Sequence, residues 1–257
     1  MKAIVLSAGQ GKRLLPLTAR EPKCLLRVDE SHCVLEHQLE AIARCGIGRA
    51  TVVVGFGARQ VESFVRSLMI PGLQVETLYN PFYTLSDNLA TCWLARQLMD
   101  DDFVLLNGDT LFEDSVLMQL LDARPEDIRI AVDQKPSYDD DDMKVSVDSD
   151  GELMAIGKDL QPELVNGESI GMLCFRGSGP KLFCEALEAT IRAPGALQAW
   201  YLSVINEIAQ DAAVQTASVR GLWWREIDSP EDLEDVRRSL LRQQGAADAS
   251  PCPAPER

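Results

Sequence analysis

A chain of 257 residues, 46% hydrophobic and 25% charged, is long and apolar enough for one large α/β domain with a sizeable core. Its formal net charge of −15 argues against a nucleic-acid or membrane partner, since either polyanion needs a cationic surface. Seven cysteines, an odd number with no C-x-x-C pair, argue against a disulfide framework or a zinc site and point to a cytoplasmic protein.

No stretch approaches the roughly 20 apolar residues of a membrane span, and the run Ala3 to Leu6 is too short for a signal-peptide core. In chain order, KAIVLS (2–7) reads as a buried strand, and VLEHQLEAIARCGI (34–47) as a helix with apolar residues at 35, 39 and 42 and Gly46 as a stop. ATVVVGF is a strand, ARQVESFVRSLM an amphipathic helix, LQVETLY a strand, and NLATCWLARQLM (88–99) a helix. DFVLLNGD (102–109) is a strand ending in a turn, DSVLMQLLDA a short helix, and DIRIAVD another strand. This β-α-β-α rhythm predicts an α/β fold, with a mainly parallel sheet covered by helices on both faces.

After residue 135 the rhythm changes. KVSVDSDGELMAIGKD predicts a hairpin around its Asp-Gly turn, and SIGMLCF a further strand. Helices at about 180–192 and 199–210, strands in AVQTASV and LWWREID, and a closing helix from SPEDL follow. Ser229 suits the N-cap and Pro230 the first helical position. Residues 243–257, rich in Pro and Ala towards the end, are expected to be a disordered tail.

The segment LSAGQGKRLLPLTAREPKCLL (6–26) follows the first strand, where an open parallel sheet presents its ligand crevice. Gly9 and Gly11 let successive backbone N–H groups converge on an anion, and Arg13 and Lys23 add positive charge. It is not a Walker loop, because Arg13 follows Gly11-Lys12, and Leu14 removes the third glycine of a dinucleotide fingerprint. The string instead resembles the signature of nucleotidyltransferases that activate sugar phosphates and related phosphates, through Leu6, Ala8, Gly9, Gly11, Arg13, Pro22 and Lys23. The resemblance implies a Rossmann-like sheet in a single domain spanning 1–242, with a small β-rich lid and acceptor region at about 136–212. It also implies that the loop, with Lys12, contacts base and phosphates, while Arg13 and Lys23 neutralise the triphosphate.

Further elements carry the same resemblance. Asn107-Gly108-Asp109 ends a strand on the expected ligand edge, and in that family an aspartate here touches the nucleotide and binds Mg²⁺. Glu226-Ile227-Asp228 resembles the family's late acidic element, and its i, i+2 spacing puts both carboxylates on one face. Mg²⁺ suits one or two carboxylates plus phosphate oxygens and retained water. The other reading of Asp228, as part of the helix cap, stays open at this point.

The middle of the chain resembles the cytidylyltransferases that act on phosphocholine, aminoethylphosphonate and inositol phosphate. YNPFYTLSDNLATCWLAR (79–96) places Asn88 and Ala90 at nucleotide-binding positions, with Ala90 and Thr91 departing from the commoner Tyr-Ser; plain capping by Ser86 or Asp87 is the alternative. DDDDMKVSVDSDGELMAIGKDL (139–160) offers Lys144 for the acceptor and α-phosphates, Asp142 for a cationic head group, and Lys158 as an echo of the inositol-phosphate branch. Glu168 is a further acidic acceptor candidate, and Trp200 and Tyr201 are candidates for a cation–π cap, or else core residues of an apolar helix. The function implied is CMP transfer from CTP to a small phosphate or phosphonate, with Mg²⁺ as cofactor. A sugar- or cyclitol-phosphate enzyme using another nucleoside triphosphate and a non-catalytic nucleotide binder are the rivals, and homo-oligomerisation is left open.

Overall fold

The computed structural model describes residues 1–122 and 126–248. Its strands are β1 (Lys2–Ser7), β2 (Arg49–Val54), β3 (Gln74–Tyr79), β4 (Phe103–Asn107), β5 (Thr110–Phe112), β6 (Ile128–Asp133), β7 (Lys144–Val147), β8 (Leu153–Gly157), β9 (Gly167–Phe175), β10 (Gln215–Ser218) and β11 (Trp224–Glu226). Its α-helices are α1 (Val34–Arg44), α2 (Ala58–Ser67), α3 (Asn88–Ala95), α4 (Asp114–Leu120), α5 (Gly179–Thr190), α6 (Tyr201–Asp211) and α7 (Pro230–Asp248).

Strand β1 sits mid-sheet because Ala3, Ile4 and Val5 are all fully buried, which requires a helical layer on either side. The main sheet runs β10-β6-β9-β4-β1-β2-β3, with the β7–β8 hairpin joined through β9. Strands β3, β2, β1 and β4 are mutually parallel, as are β10 and β6, and β9 runs antiparallel between β4 and β6. The result is the mixed, mainly parallel α/β sheet expected from the sequence. One face packs apolar residues of α1, α2 and α4, and the other those of α3, α5 and α6.

A third, smaller core has a different purpose. Leu233, Val236 and Leu240 on one stripe of α7 bury against Leu14, Leu26, Val34, Leu111 and Ile227. Helix α7 therefore clamps the N-terminal loop onto β5 and β11, which form a separate antiparallel ribbon. The sequence reading did not separate β5 from the turn before it. Ser229 Oγ accepts from Asp232 N at 3.2 Å while Asp232 Oδ2 accepts from Ser229 N at 2.7 Å, a reciprocal capping box that fixes the start of α7. Helix α7 continues to Asp248, past the 242 boundary read from the sequence, and the rest of the expected tail, 249–257, lies outside the described residues, as does Ala123 at the end of the expected fourth helix. Among the described residues no helix is long and apolar enough to cross a membrane.

Candidate active site

The loop after β1 folds back on Lys23. Gly11 has φ 68° and ψ 56°, a left-handed conformation natural to glycine. A Cβ there would also meet the Lys23 chain, at 3.1 Å from Cδ and 3.2 Å from Cβ. Thr18 Oγ1 donates to Gly11 O at 2.8 Å and ties the loop to the segment behind it. Gly9, Lys12 and Arg13 are exposed at the rim, Leu6 is half-buried at the strand end, and Ala8 is buried with its carbonyl accepting from Phe56 N at 2.9 Å.

Asp109 reaches the same edge because β4 pairs with β1 and then turns tightly over it. Gly108 N donates to Leu6 O at 2.9 Å, and a Cβ on Gly108 would lie 2.5 Å from Leu6 O and overlap Ser7 Oγ. Buried Gln38 holds the turn from below, donating to Asn107 O at 2.8 Å and Thr110 O at 2.7 Å. Gly108→Ala is therefore expected to destabilise the fold by about 2–3 kcal/mol, because the strand ends must separate. A lowered urea midpoint together with lost activity would show it; an unchanged midpoint would contradict the packing described.

The β5–β11 ribbon completes the constellation. Thr110 pairs with Glu226, and Ile227 N donates to Asp109 O at 3.1 Å. One carboxylate oxygen from each of Asp109, Glu226 and Asp228 then lies within 4.8 Å of the others. Asp228 is thus both next to the helix cap and in the cluster, while the capping bond itself belongs to Asp232 and Ser229.

Charge in the cluster is balanced internally. Buried Lys23 Nζ lies 2.9 Å from Asp109 Oδ2 and 2.8 Å from Asp228 Oδ1, and Arg13 lies 2.7 Å from Asp228 Oδ2. Burial alone would lower the Lys23 pKa, but Asp109 and Asp228 outweigh it and hold it above the ordinary lysine value. Burial would raise Asp228; Lys23 and Arg13 outweigh it and hold it below the usual carboxylate range. Glu226 presents solvent-open surface at the mouth, yet the protein around it and the charges of Asp109 and Asp228 push it up to about 8. Asp109 Oδ1 is buried without a hydrogen-bond partner. An orphaned carboxylate oxygen beside two more carboxylates fits a hard divalent cation such as Mg²⁺.

The remaining candidates spread over a wall formed by β7, β9 and the starts of α3 and α6. Lys144 Nζ donates to Lys158 O at 3.0 Å, and Lys158 Nζ stacks 4.4 Å over the Trp200 ring. Asp142 and Glu168 come together, but around Lys135, whose Nζ is 2.8 Å from Asp142 Oδ1 and 2.7 Å from Glu168 Oε2. Burial foremost, with Asp142 adjacent, pushes Glu168 up to about 7 despite Lys135. Of the two readings left open for Tyr201 the structure gives the core one, against the acceptor-binding one: it is fully buried, its hydroxyl 3.3 Å from Asn107 Oδ1, and offers no face to an acceptor. Asn88 Oδ1 accepts from Tyr201 N at 2.8 Å and joins the starts of α3 and α6, while Ala90 is buried beneath them. No side chain caps α3; Ser86 Oγ donates to Phe82 O at 3.0 Å instead.

Three residues that the sequence reading passed over help build the site. Gln38 positions the Asp109 turn, and Lys135 fills the Asp142–Glu168 pair. Asp141 bridges the two halves, 2.9 Å from Arg13 and 3.3 Å from Lys158. The run of four aspartates had signalled only a solvated loop or a single head-group contact; the cations opposite it in this fold give Asp141 and Asp142 separate partners.

Comparisons with known proteins identify the family and the fold. A family model described as the MobA-like NTP transferase domain matches residues 3–199. The chain is 30% identical over 258 residues to the CMP-5′-(3-aminopropyl)phosphonate synthase of Streptomyces rubellomurinus, covering 95% of this chain and 40% of that one. It is 24% identical to the bifunctional IPC transferase and DIPP synthase of Aquifex aeolicus, covering 93% of this chain and 52% of that one. The chain thus spans about half or less of these two relatives. Among solved structures, the inositol-1-phosphate CTP transferase from T. maritima superposes with a TM-score of 0.78 at 22% identity, covering 98% of both chains. The CTP:phosphocholine cytidylyltransferase of Streptococcus pneumoniae does so with a TM-score of 0.75 at 17% identity, covering 93% of this chain and 98% of that one. Both structural likenesses show the same fold.

Proposed function

Because this chain belongs to the MobA-like NTP transferase domain family, we propose that it is a Mg²⁺-dependent cytidylyltransferase that moves CMP from CTP to a small phosphate or phosphonate. The observation that carries this reading is the convergence of the Gly11 loop, Lys23 and the Asp109–Glu226–Asp228 cluster on one sheet edge, with Asp109 Oδ1 left unpaired. The names of relatives support CTP and the acceptor class: one makes a CMP-phosphonate, and another is a CTP:phosphoglutamine cytidylyltransferase.

An acceptor oxygen attacks the α-phosphorus of CTP in line; the bond to the bridging oxygen breaks, and pyrophosphate leaves with that electron pair. Such a reaction needs positioning and charge neutralisation more than covalent help. A divalent ion held by Asp109, Glu226 and Asp228 would supply neutralisation at the phosphate oxygens. Backbone N–H groups of the 8–13 loop receive the phosphates. Arg13 and Lys23 exchange their internal carboxylate partners for phosphate oxygens and stabilise the departing pyrophosphate. Lys144 lies on the acceptor side and offsets repulsion between the two anions.

The test is pyrophosphate release from CTP, UTP, GTP, dTTP and ATP with Mg²⁺ and a panel of small phosphates and phosphonates. CTP is expected to exceed the others at least tenfold in kcat/KM. Preference for UTP or dTTP with a sugar phosphate would replace the cytidylyl reading. Nucleotide binding without pyrophosphate release for any pair would replace catalysis with a binding role.

A further inference from the structure

The Asp142–Glu168 pair is a cation site whose cation belongs to the chain. Side-chain exposure is 5% for Glu168, 12% for Asp142 and 33% for Lys135, so the carboxylates are withdrawn and the ammonium closes them from the open side. Burial would lower the Lys135 pKa, but the two carboxylates outweigh it and keep the ammonium charged. Asp142 is fixed in turn, its Oδ2 accepting from Asp139 N at 2.7 Å.

The slot stands at the acceptor end of the proposed site. Glu168 is paired in register with Lys144 and with Asp133, and Asp133 Oδ2 accepts from Trp224 Nε1 at 2.9 Å, two residues before Glu226. Three residues along β9, Gly171 lies against the Asn107 side chain that precedes the Asp109 turn. Three residues of strand span about 10 Å, the length of a small acceptor. Asp141, next in the chain to Asp142, contacts Arg13 of the nucleotide loop.

An acceptor ending in an ammonium would have to displace a tethered ammonium present at an effective concentration on the order of millimolar or more, and break two charge-assisted bonds. An acceptor ending in a hydroxyl meets no such competition. An ammonium has three donors, and two of those of Lys135 face carboxylates; the third has the Tyr138 ring centroid 5.8 Å from Nζ and no oxygen partner among the described residues, so an incoming oxygen can take it. We propose that Lys135 is a specificity residue: by filling the Asp142–Glu168 slot it directs the site towards phosphates and phosphonates that end in a hydroxyl and against those that end in an ammonium. This rests on the transfer reaction proposed above and narrows its acceptor.

Two matched pairs test it: 2-hydroxyethylphosphonate against 2-aminoethylphosphonate, and 2-hydroxyethyl phosphate against phosphoethanolamine. Each is assayed by pyrophosphate release with CTP and Mg²⁺. The parent is expected to favour the hydroxyl member by tenfold or more in kcat/KM. Lys135→Arg keeps the preference. Lys135→Met frees the two carboxylates and reverses it, the amine gaining at least tenfold. Where Lys135→Met alone unfolds, Lys135→Met with Glu168→Gln relieves the unpaired charge and brings the ratio towards one. A parent that prefers the amines, or a ratio that no substitution moves, overturns the assignment and leaves the transfer reaction standing. Absence of pyrophosphate release from every triphosphate and acceptor overturns both.

Discussion

Asp109→Ala is expected to lower pyrophosphate release by about 10³-fold or more, on the scale of losing a preorganised charge-stabilising group, while the protein melts within a few degrees of the parent. The two halves of this expectation have separate causes. Asp109 gives one oxygen to Lys23 and leaves the other unpaired, so its removal strands no buried partner; Lys23 keeps Asp228 at 2.8 Å. The backbone around it is held independently by Gln38 and by Ile227 N. What disappears is the innermost oxygen donor of the proposed divalent-ion site. Steady-state pyrophosphate assays and a thermal melt on the same preparation check both halves. Turnover close to that of the parent would remove the metal assignment, and a large fall in melting temperature would show that Asp109 is structural.

Lys23→Met should act in the opposite order, on stability first. It leaves Asp109 and Asp228 facing Glu226, with Arg13 the remaining cation paired to them among the described residues. Removing one partner of a largely buried ion pair costs about 3 kcal/mol, so a clear loss of melting temperature is expected in a chelating buffer. A divalent ion replaces the lost charge, so Mg²⁺ should raise the melting temperature of the variant more than that of the parent. The pH dependence carries a sign. In the parent, Lys23 is raised, so its contribution is complete below about 10.4 and is lost as pH rises through the folded value. Asp228 is lowered, so its contribution is present above about 3.9 and is lost as pH falls through the folded value. Neutral pH lies inside both windows. Glu226, raised to about 8, already favours folding in the parent as pH falls from 8 towards 5; without Lys23 the carboxylates favour protonation more strongly, so the variant should gain more stability over that range than the parent. Equal Mg²⁺ responses in variant and parent would contradict the shared use of these carboxylates by lysine and metal.

Much of the scaffold was readable because buried parallel strands are apolar runs, and β1, β2 and β4 are such runs. The Asp-Gly turn announced the β7–β8 hairpin, and Ser229-Pro230 announced α7. Strand β5 was not readable: Thr110–Phe112 is too short to show a period, and only its pairing with β11 defines it. The residues of the glycine loop were readable as a string, but their present partners were not. Lys23 and Arg13 bind carboxylates drawn from distant segments, and sequence spacing carries no trace of that. The pattern around Tyr201 allowed either an exposed aromatic cap or a core residue, and packing of α6 under α3 decides for the core. Lys135 escaped notice because a lysine just past a strand is ordinary until β9 brings Glu168 across from it.

The ribbon of β5 and β11 has a consequence for how the protein comes into being. Residues 110–112 and 224–226 lie far apart in the chain, and closing so long a loop is among the slower events of folding. A nascent chain that has not yet delivered β11 holds β1, β2, β3 and β4 and the glycine loop, yet lacks Glu226 and Asp228, two of its three acidic ligand candidates. Synthesis order and folding order therefore converge on the same late step: β11 can bring Glu226 and Asp228 beside Asp109 only after β1 to β4 and the glycine loop have been made.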